Sequence, residues 1–229
     1  MLTNRTVSDL LDAFSAPDPT PGGGSASALA GALGVSLLAM VAGLPKTRTG
    51  TAEAGVALGE ARARLLDLRA SLVALVDRDA AAYDLVVAAY RRPKVTGEEQ
   101  AARRAAIQEA MRVATEVPIE MLRVCVDAVK ASVAVATLGN PSATSDVAVG
   151  LQLLSTATQG ALFNVETNLG SLTDQTQVDA FTQNVQRLVR DSRQDWAAVY
   201  AASGFVDLLK ASARRAGMLT SDGRHLPLA

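Results

Sequence analysis

The chain has 229 residues, and its 22 basic residues nearly balance its 23 acidic ones. This balance argues against a nucleic-acid-binding protein, because such a protein needs a basic face. The composition is 49% hydrophobic but only 3% aromatic, so Ala, Val and Leu supply the apolar part. Ala and Leu favour helix, and no low-complexity linker divides the chain. We therefore predict a single all-α domain over residues 1–229.

The scarcity of cysteine and histidine limits the chemistry that is available. Cys125 is the only cysteine, which excludes an intramolecular disulfide and indicates a reducing compartment, so we predict a cytoplasmic protein. It lies in an apolar run, where a buried core thiol is favoured over a nucleophile. His225 is the only histidine, so neither a histidine-based zinc site nor a catalytic triad can be built.

The first predicted elements are a short amphipathic helix and a long apolar one. Apolar spacing predicts the short helix over 6–15, ended by Pro17 and Pro19. Residues 26–44 carry no charge and could span a bilayer by length. Their serines, glycines and many alanines favour instead a central helix that other helices surround. We therefore predict no membrane segment, and we expect the central helix to have Gly24 or Ser25 near its N-cap.

Four longer helices follow, and they predict a bundle. Helical spacing of apolar residues places them at 51–90, 97–137, 143–169 and 175–215, with a kink at Pro118 and a loose or partner-docked tail at 216–229. Short turns between long helices indicate antiparallel neighbours packed around the central helix. Two of the helices approach forty residues, or about 60 Å, which exceeds a compact monomer of this size. We therefore predict a homodimer along these helices.

A glycine-rich turn precedes the central helix. Gly22, Gly23 and Gly24 leave backbone N–H groups uncovered at a helix N-terminus, where the dipole attracts anions, and Ser25 adds a hydroxyl. No Gly-Lys-Ser/Thr follows and no strand precedes, so the turn is neither a Walker loop nor a dinucleotide fingerprint. A flexible cap that permits close helix packing is an equally weighted alternative.

Asp79, Tyr83 and Tyr90 share one helix face. A carboxylate beside aromatic rings suits a heteroaromatic, partly cationic ligand. The structural alternative, a solvated acid and two boundary tyrosines, is favoured on the pattern alone.

Polar and small residues also form a stripe on the helix after Asn140. Asp146 and Asn164 are five turns, or about 27 Å, apart, so only an elongated ligand or a dimer groove could use both. The alternatives are a first-turn acid and amides that hydrogen-bond between helices. Lys46 and Arg48 after the central helix could hold carboxylates, although cations at helix C-termini are common.

Four segments in this order resemble the cyclodeaminase/cyclohydrolase family. This family includes the cyclodeaminase half of formiminotransferase-cyclodeaminase and stand-alone methenyltetrahydrofolate cyclohydrolases. The resemblance covers residues 6 to 200 and leaves 201–229 as a C-terminal extension. Its motifs are Pro19-Thr20-Pro21-Gly22-Gly23-Gly24-Ser25, Asp79-Ala80-Ala81-Ala82-Tyr83, Ala114-Thr115-Glu116-Val117-Pro118, and Asn140-Pro141-Ser142-Ala143-Thr144-Ser145-Asp146 followed by Asn164-Val165-Glu166-Thr167-Asn168-Leu169.

The resemblance implies a helical homodimer that binds a tetrahydrofolate derivative in a groove and needs no metal or redox cofactor. Asp146 and Asp79 are then the predicted catalytic acids, since carboxylates can accept a proton and stabilise a bridge cation. The remaining predicted residues bind substrate. Asn140 and Asn164 are expected to orient the pterin or the bridge, and Asn168 and Tyr83 are further substrate-binding candidates. The glutamate tail is assigned to Gly22, Gly23, Gly24 and Ser25 with Lys46 or Arg48.

Three functions follow from the resemblance. The leading one is hydrolysis of 5,10-methenyltetrahydrofolate to 10-formyltetrahydrofolate. The second is formimidoyltetrahydrofolate cyclodeaminase activity, in which the ring closes and ammonia leaves. The third is a helical dimer that binds folate or a protein partner without catalysis. The segment 43–50 favours the third somewhat, because it lacks the asparagine and displaces the lysine that the family usually has there.

Overall fold

The computed structural model describes residues 1–204, 207, 208, 210, 211 and 215. Every regular element among them is a helix, which confirms the all-α prediction. A short 3-10 turn at Leu2–Asn4 precedes α1 (Val7–Ser15), and another at Pro141–Ala143 precedes α5. The longer helices are α2 (Gly23–Ala42), α3 (Ala52–Tyr90), α4 (Gly97–Leu138), α5 (Thr144–Leu169) and α6 (Gln175–Ala202).

Most helix starts follow from local capping chemistry. The side chains of Thr6, Thr51 and Asp174 accept hydrogen bonds from backbone N–H groups in the first turns of α1, α3 and α6. Thr96 and Glu99 form a capping box at the start of α4, in which each side chain bonds the other's backbone. These four starts agree with the predicted boundaries to within a residue.

Two boundaries differ from the predictions. The N-cap of α2 is Gly22, so Gly24 and Ser25 lie within the first turn, where the Ser25 hydroxyl bonds Val76 and Asp79 of α3 and does not cap the helix. Helix α6 ends at Ala202 and does not continue to Arg215, because Gly204 adopts a positive φ of 67° that breaks the helix. The predicted tail at 216–229, with His225, lies outside the described residues.

The core lies where α2 packs between α3 and α5, with α4 behind them. Its fully buried side chains come from all four helices, and include Leu38, Leu72, Leu122 and Leu154. The contact between α2 and α5 is close because both helices are rich in small residues. A Cβ on Gly34 would lie 2.7 Å from the carbonyl oxygen of Gly150 on α5. Small side chains therefore set the distance between these two helices.

Helix α2 is buried on most of its surface but keeps one exposed stripe. Ala26, Leu33 and Met40 recur every seven residues along it, and Leu33 is 56% exposed. Val149 and Phe163 on the neighbouring helix α5 are also exposed. The central helix is thus mostly buried by the neighbouring helices, as predicted, and leaves one apolar stripe exposed within one chain. Among the described residues, α2 is also the one helix long and apolar enough to cross a membrane by length and composition.

Candidate functional site

A pocket of about 250 Å³ opens at the end of the bundle where α2 begins. The segment before α2 and its first turn form one wall, and α3, α4 and α5 form the others. The residues that line it are Pro19, Thr20, Gly22, Gly23, Gly24, Asp79, Ala82, Tyr83, Val86, Met111, Ala114, Asn164, Thr167 and Asn168. The pocket therefore brings together the predicted site residues of the glycine turn, of α3 and of the C-terminal part of α5.

The Asp79 carboxylate lies against the first turn of α2. Its Oδ2 atom is 2.8 Å from the Ser25 Oγ atom, and the Ser25 backbone N–H also donates to this carboxylate. A Cβ on Gly24 would overlap the Asp79 carboxylate, so only glycine allows this approach. The absence of a side chain at Gly24 therefore allows the Asp79 carboxylate of α3 to lie against the first turn of α2.

Burial raises the pKa of Asp79 above its usual value of 3.8, although the two hydrogen bonds from Ser25 oppose this shift. Ser25 Oγ is also 3.0 Å from the carbonyl oxygen of Val76. The hydroxyl can therefore donate to the ionised carboxylate, or accept from the protonated carboxyl while it donates to Val76. Asp79 consequently has a hydrogen-bond partner in either protonation state, as a group that exchanges a proton requires.

The first turn of α2 also presents unsatisfied backbone donors to the pocket. Gly22 has no side chain to cap the helix, and the N–H groups of Gly23 and Gly24 have no acceptor among the described residues. The positive end of the helix dipole therefore faces the pocket. This end stabilises negative charge, on Asp79 or on a bound ligand.

Two asparagines of α5 present amide oxygens at the opposite wall. Asn164 Nδ2 donates to the Gly160 carbonyl at 2.8 Å, and Asn168 Nδ2 donates to the Ala114 carbonyl at 2.8 Å. A carbonyl oxygen accepts only, so each amide nitrogen must face the backbone. Each Oδ1 atom then remains an acceptor for a ligand N–H group.

The bond from Asn168 depends on Pro118. In a regular helix the carbonyl of Ala114 would accept from the backbone N–H of residue 118, and proline has none. Pro118 lies within the continuous helix α4, and Asn168 supplies the missing donor from α5. The missing backbone donor at Pro118 therefore fixes the side chain of a pocket residue.

The other predicted site residues lie at the far end of the bundle. Asp146 is half-buried in the first turn of α5, and the Asn140 side chain accepts the Ser142 N–H at 2.9 Å. Lys46 and Arg48 are exposed in the segment after α2, where the Arg48 backbone N–H donates to the Leu138 carbonyl at 2.8 Å. Helix α2 spans 20 residues between the two groups, or about 30 Å. One chain therefore does not bring Asp146, Asn140, Lys46 or Arg48 to the pocket.

Several pocket residues carry no signal in the sequence by themselves. Met111 and Ala114 of α4 are buried apolar residues at ordinary helical spacing, so they look like core positions. Ala114 belongs to the Ala114–Pro118 motif, which was the available clue.

Cys125 is buried, and burial raises the pKa of its thiol to about 12 despite a hydrogen bond with Thr158. This supports the predicted core thiol.

The sequence matches the profile of the formiminotransferase-cyclodeaminase family over residues 6–187. It is 34% identical over 192 residues to a methenyltetrahydrofolate cyclohydrolase of Methylorubrum extorquens, covering 84% of this chain and 92% of that one. It is 32% identical over 206 residues to the formimidoyltransferase-cyclodeaminase of Gallus gallus, covering 87% of this chain but 37% of the relative.

The fold is also similar to a crystal structure of formiminotetrahydrofolate cyclodeaminase from Thermotoga maritima. The TM-score is 0.78 with 23% sequence identity, over 90% of this chain and all of the other. This likeness confirms the helical architecture.

Proposed function

This chain belongs to the formiminotransferase-cyclodeaminase family, and on that premise we propose that it hydrolyses 5,10-methenyltetrahydrofolate to 10-formyltetrahydrofolate. The Methylorubrum cyclohydrolase supports this choice, because the match spans most of both chains. The observation that carries the proposal is the half-buried Asp79 carboxylate, held by Ser25 on a pocket wall at the uncapped start of α2.

The reaction requires a base and a group that stabilises positive charge. Water adds to the methenyl carbon of the cationic amidinium and loses a proton. The bond from that carbon to N5 then breaks as N5 takes up a proton, the added hydroxyl loses its remaining proton to become the carbonyl oxygen, and the formyl group stays on N10. One water is consumed and one proton is released overall. A single carboxylate near the bridge can serve both needs, because it favours the cation and accepts the proton of the attacking water.

Asp79 is the residue that meets these requirements in this pocket. Its raised pKa makes the carboxylate a stronger proton acceptor, and its hydrogen bonds to Ser25 fix its orientation. Tyr83 lies on the same wall and offers a flat surface for a pterin or benzoyl ring. The Oδ1 atoms of Asn164 and Asn168 can accept from the N–H groups along one edge of the pterin.

Asp146, Asn140, Lys46 and Arg48 can contribute to this pocket only from a second copy of the chain. In the predicted homodimer, a two-fold axis across α2 and α5 would turn the far end of one copy toward the pocket of the other. The exposed side chains of Leu33, Met40, Val149 and Phe163 provide an apolar face for such a contact. We therefore propose a composite site, with Asp79 from one copy and Asp146 from its partner. The absence of a cofactor and the cytoplasmic location stay predictions.

The cyclodeaminase reaction is the second candidate, because it uses the same bridge atoms and is the activity named for the Gallus gallus relative. There the formimino nitrogen leaves as ammonia while the ring closes. The chain spans 37% of the length of that relative. A non-catalytic folate-binding dimer is the third candidate, on the departure at residues 43–50.

Absorbance spectroscopy separates the three candidates. Purified protein is mixed with methenyltetrahydrofolate, and the loss of its near-ultraviolet band is followed against buffer. Accelerated decay supports the cyclohydrolase. Formation of the same band from formimidoyltetrahydrofolate, with ammonia release, would identify the cyclodeaminase. Binding without either change would leave the non-catalytic dimer.

A further inference from the structure

Helices α3 and α4 extend past the start of α2 as a helical hairpin that the proposed reaction does not use. Asp79 contacts the first turn of α2, and α3 continues from there to Tyr90 before the chain turns into α4. The outer part of this hairpin, residues 90–104, contains five basic and two acidic residues. One of the acids, Glu99, is held by the capping box with Thr96.

Arg103 is fixed on this hairpin by Tyr90. Its guanidinium carbon lies 5.4 Å from the centroid of the Tyr90 ring. Its Nε and Nη2 atoms donate to the Tyr90 carbonyl oxygen at 3.2 and 3.1 Å. Its Nη1 atom has no acceptor, and no carboxylate pairs with it, among the described residues. The guanidinium is therefore held in place with donor capacity left over.

Arg103 lies on the side of the hairpin that faces the pocket. Tyr90 follows Tyr83 by two helical turns, or about 10 Å, on the same face of α3. Arg103 precedes Ala114 by three turns on α4, and both Tyr83 and Ala114 line the pocket. Arg92, by contrast, lines a separate apolar groove with Leu85 and Val113 on the opposite side.

We propose that Arg103, seated on Tyr90, binds a carboxylate at the glutamate end of the folate substrate. This proposal rests on the proposed function, since it extends the same pocket. With the methenyl bridge at Asp79, the benzoyl ring can lie along Tyr83, and its amide then carries the glutamate toward Tyr90. The remaining N–H donors of Arg103 meet the carboxylate there, with the exposed Arg104 on the same side adding positive charge. Lys46 and Arg48 cannot serve this end within one chain, because they lie about 30 Å away.

The test compares two substrates with three variants. Methenyltetrahydrofolate carries the glutamate, and methenyltetrahydropteroate lacks it. We expect R103Q to raise KM for the first about ten- to a hundredfold with kcat unchanged, because a charged hydrogen bond made equally in ground and transition states is lost. KM for the pteroate compound should not change. R103K should fall between, since it keeps the charge but not the planar fork. R92Q is the matched control and should behave as wild type.

Equal KM values for R103Q and wild type on the glutamylated substrate would overturn the subsite while the proposed function stands. Hydrolysis of neither substrate by the wild type would instead overturn the proposed function. In that case calorimetric titration with 10-formyltetrahydrofolate and its pteroate counterpart still tests the subsite, because only the glutamylated compound should lose affinity in R103Q. A thermal melt of each variant shows whether the hairpin has kept its fold.

Discussion

Pro118 leaves the Ala114 carbonyl without a backbone donor, and the side-chain amide of Asn168 on α5 donates to this carbonyl instead, at 2.8 Å. A proline inside a helix usually costs stability, because a hydrogen bond is lost and the ring crowds the preceding turn. In α4 the lost bond is replaced by an amide whose other end lines the pocket. The helix defect and the orientation of a pocket residue are therefore one feature.

The variant P118A tests this coupling. Alanine restores an N–H group that competes for the Ala114 carbonyl, so the Asn168 amide should lose its fixed orientation. We expect the free energy of unfolding to hold or rise, because alanine favours helix over proline by up to about 3 kcal/mol. We expect kcat/KM to fall about tenfold, as loss of one positioned hydrogen bond predicts. Chemical denaturation and steady-state kinetics measure the two effects.

A double-mutant cycle with N168A gives the control for P118A. If Pro118 acts through Asn168, the double variant should be no less active than N168A alone. Additive losses in kcat/KM would show that Pro118 influences the pocket by another route.

Asp79 makes stability and activity depend on pH in opposite directions. Burial raises its pKa in the folded chain, whereas the unfolded chain keeps the ordinary value of 3.8. The folded state therefore binds more protons between 3.8 and the raised pKa, and its stability falls as pH rises through this window. The favourable contribution is fully present only below 3.8. Activity should rise over the same window, because the base must be ionised.

The variant D79N should separate these effects. It keeps an acceptor for Ser25 but carries no charge, so we expect higher stability than wild type at pH 7 and no loss of stability through this window. We expect kcat to fall about 10²- to 10⁴-fold, the usual contribution of a general base. Thermal melts and kcat/KM against pH provide the measurements. An unchanged kcat would remove Asp79 from the chemistry.

Gly24 should be intolerant of any side chain. The Cβ of G24A would overlap the Asp79 carboxylate and push it out of its place beside Ser25. We expect most of the activity to be lost even though alanine is the better helix former. The matched control is G59A on α3, where an added Cβ meets no atom within 4 Å. That variant should keep its activity and gain up to about 1 kcal/mol in stability. Full activity in G24A would show that the reaction does not need the Asp79 carboxylate in its place beside Ser25.

The fold was predictable from the sequence because its signals are local. The threonine caps at 6, 51 and 96 and the long apolar repeats each act within a few turns of one helix. The end of α6 was missed because Gly204 lies in a run where alanine and leucine still favour helix on both sides. The backbone conformation of that single glycine overrides the neighbouring propensities.

The candidate site was predictable only in part, because it depends on which helix ends meet. Gly22–Gly24, Asp79, Tyr83, Asn164 and Asn168 were identified and lie together. The 20-residue length of α2 already implied that the glycine turn and Lys46 lie about 30 Å apart. The roles of Ala114 and Pro118 could be seen only in the structure. The Ala114 carbonyl has no backbone donor at Pro118, and it accepts a hydrogen bond from the Asn168 side chain on another helix.

The composite site makes a quantitative prediction for mixed dimers. If Asp79 of one copy works with Asp146 of its partner, D79N and D146N should each be inactive alone. Random pairing of the two variants makes half of the dimers hybrid, and each hybrid has one intact site and one doubly altered site. Activity should therefore recover to about a quarter of the wild-type value. That value applies to the unfractionated mixture of co-expressed variants. If the two variants carry different affinity tags, purification over both tags isolates the hybrids, whose activity should reach about half of the wild-type value.

The alternatives give other outcomes in the same experiment. If Asp146 only stabilises the first turn of α5, D146N alone should be active and the mixture should show no gain. If both acids served a pocket of one chain, no hybrid would regain activity, but the distance of about 27 Å from Asp146 to Asn164 along α5 argues against this. The variant F163E supplies a further control, because a charge on the exposed apolar face should favour monomers and abolish the recovery. Sedimentation velocity of each sample reports whether the dimer is present.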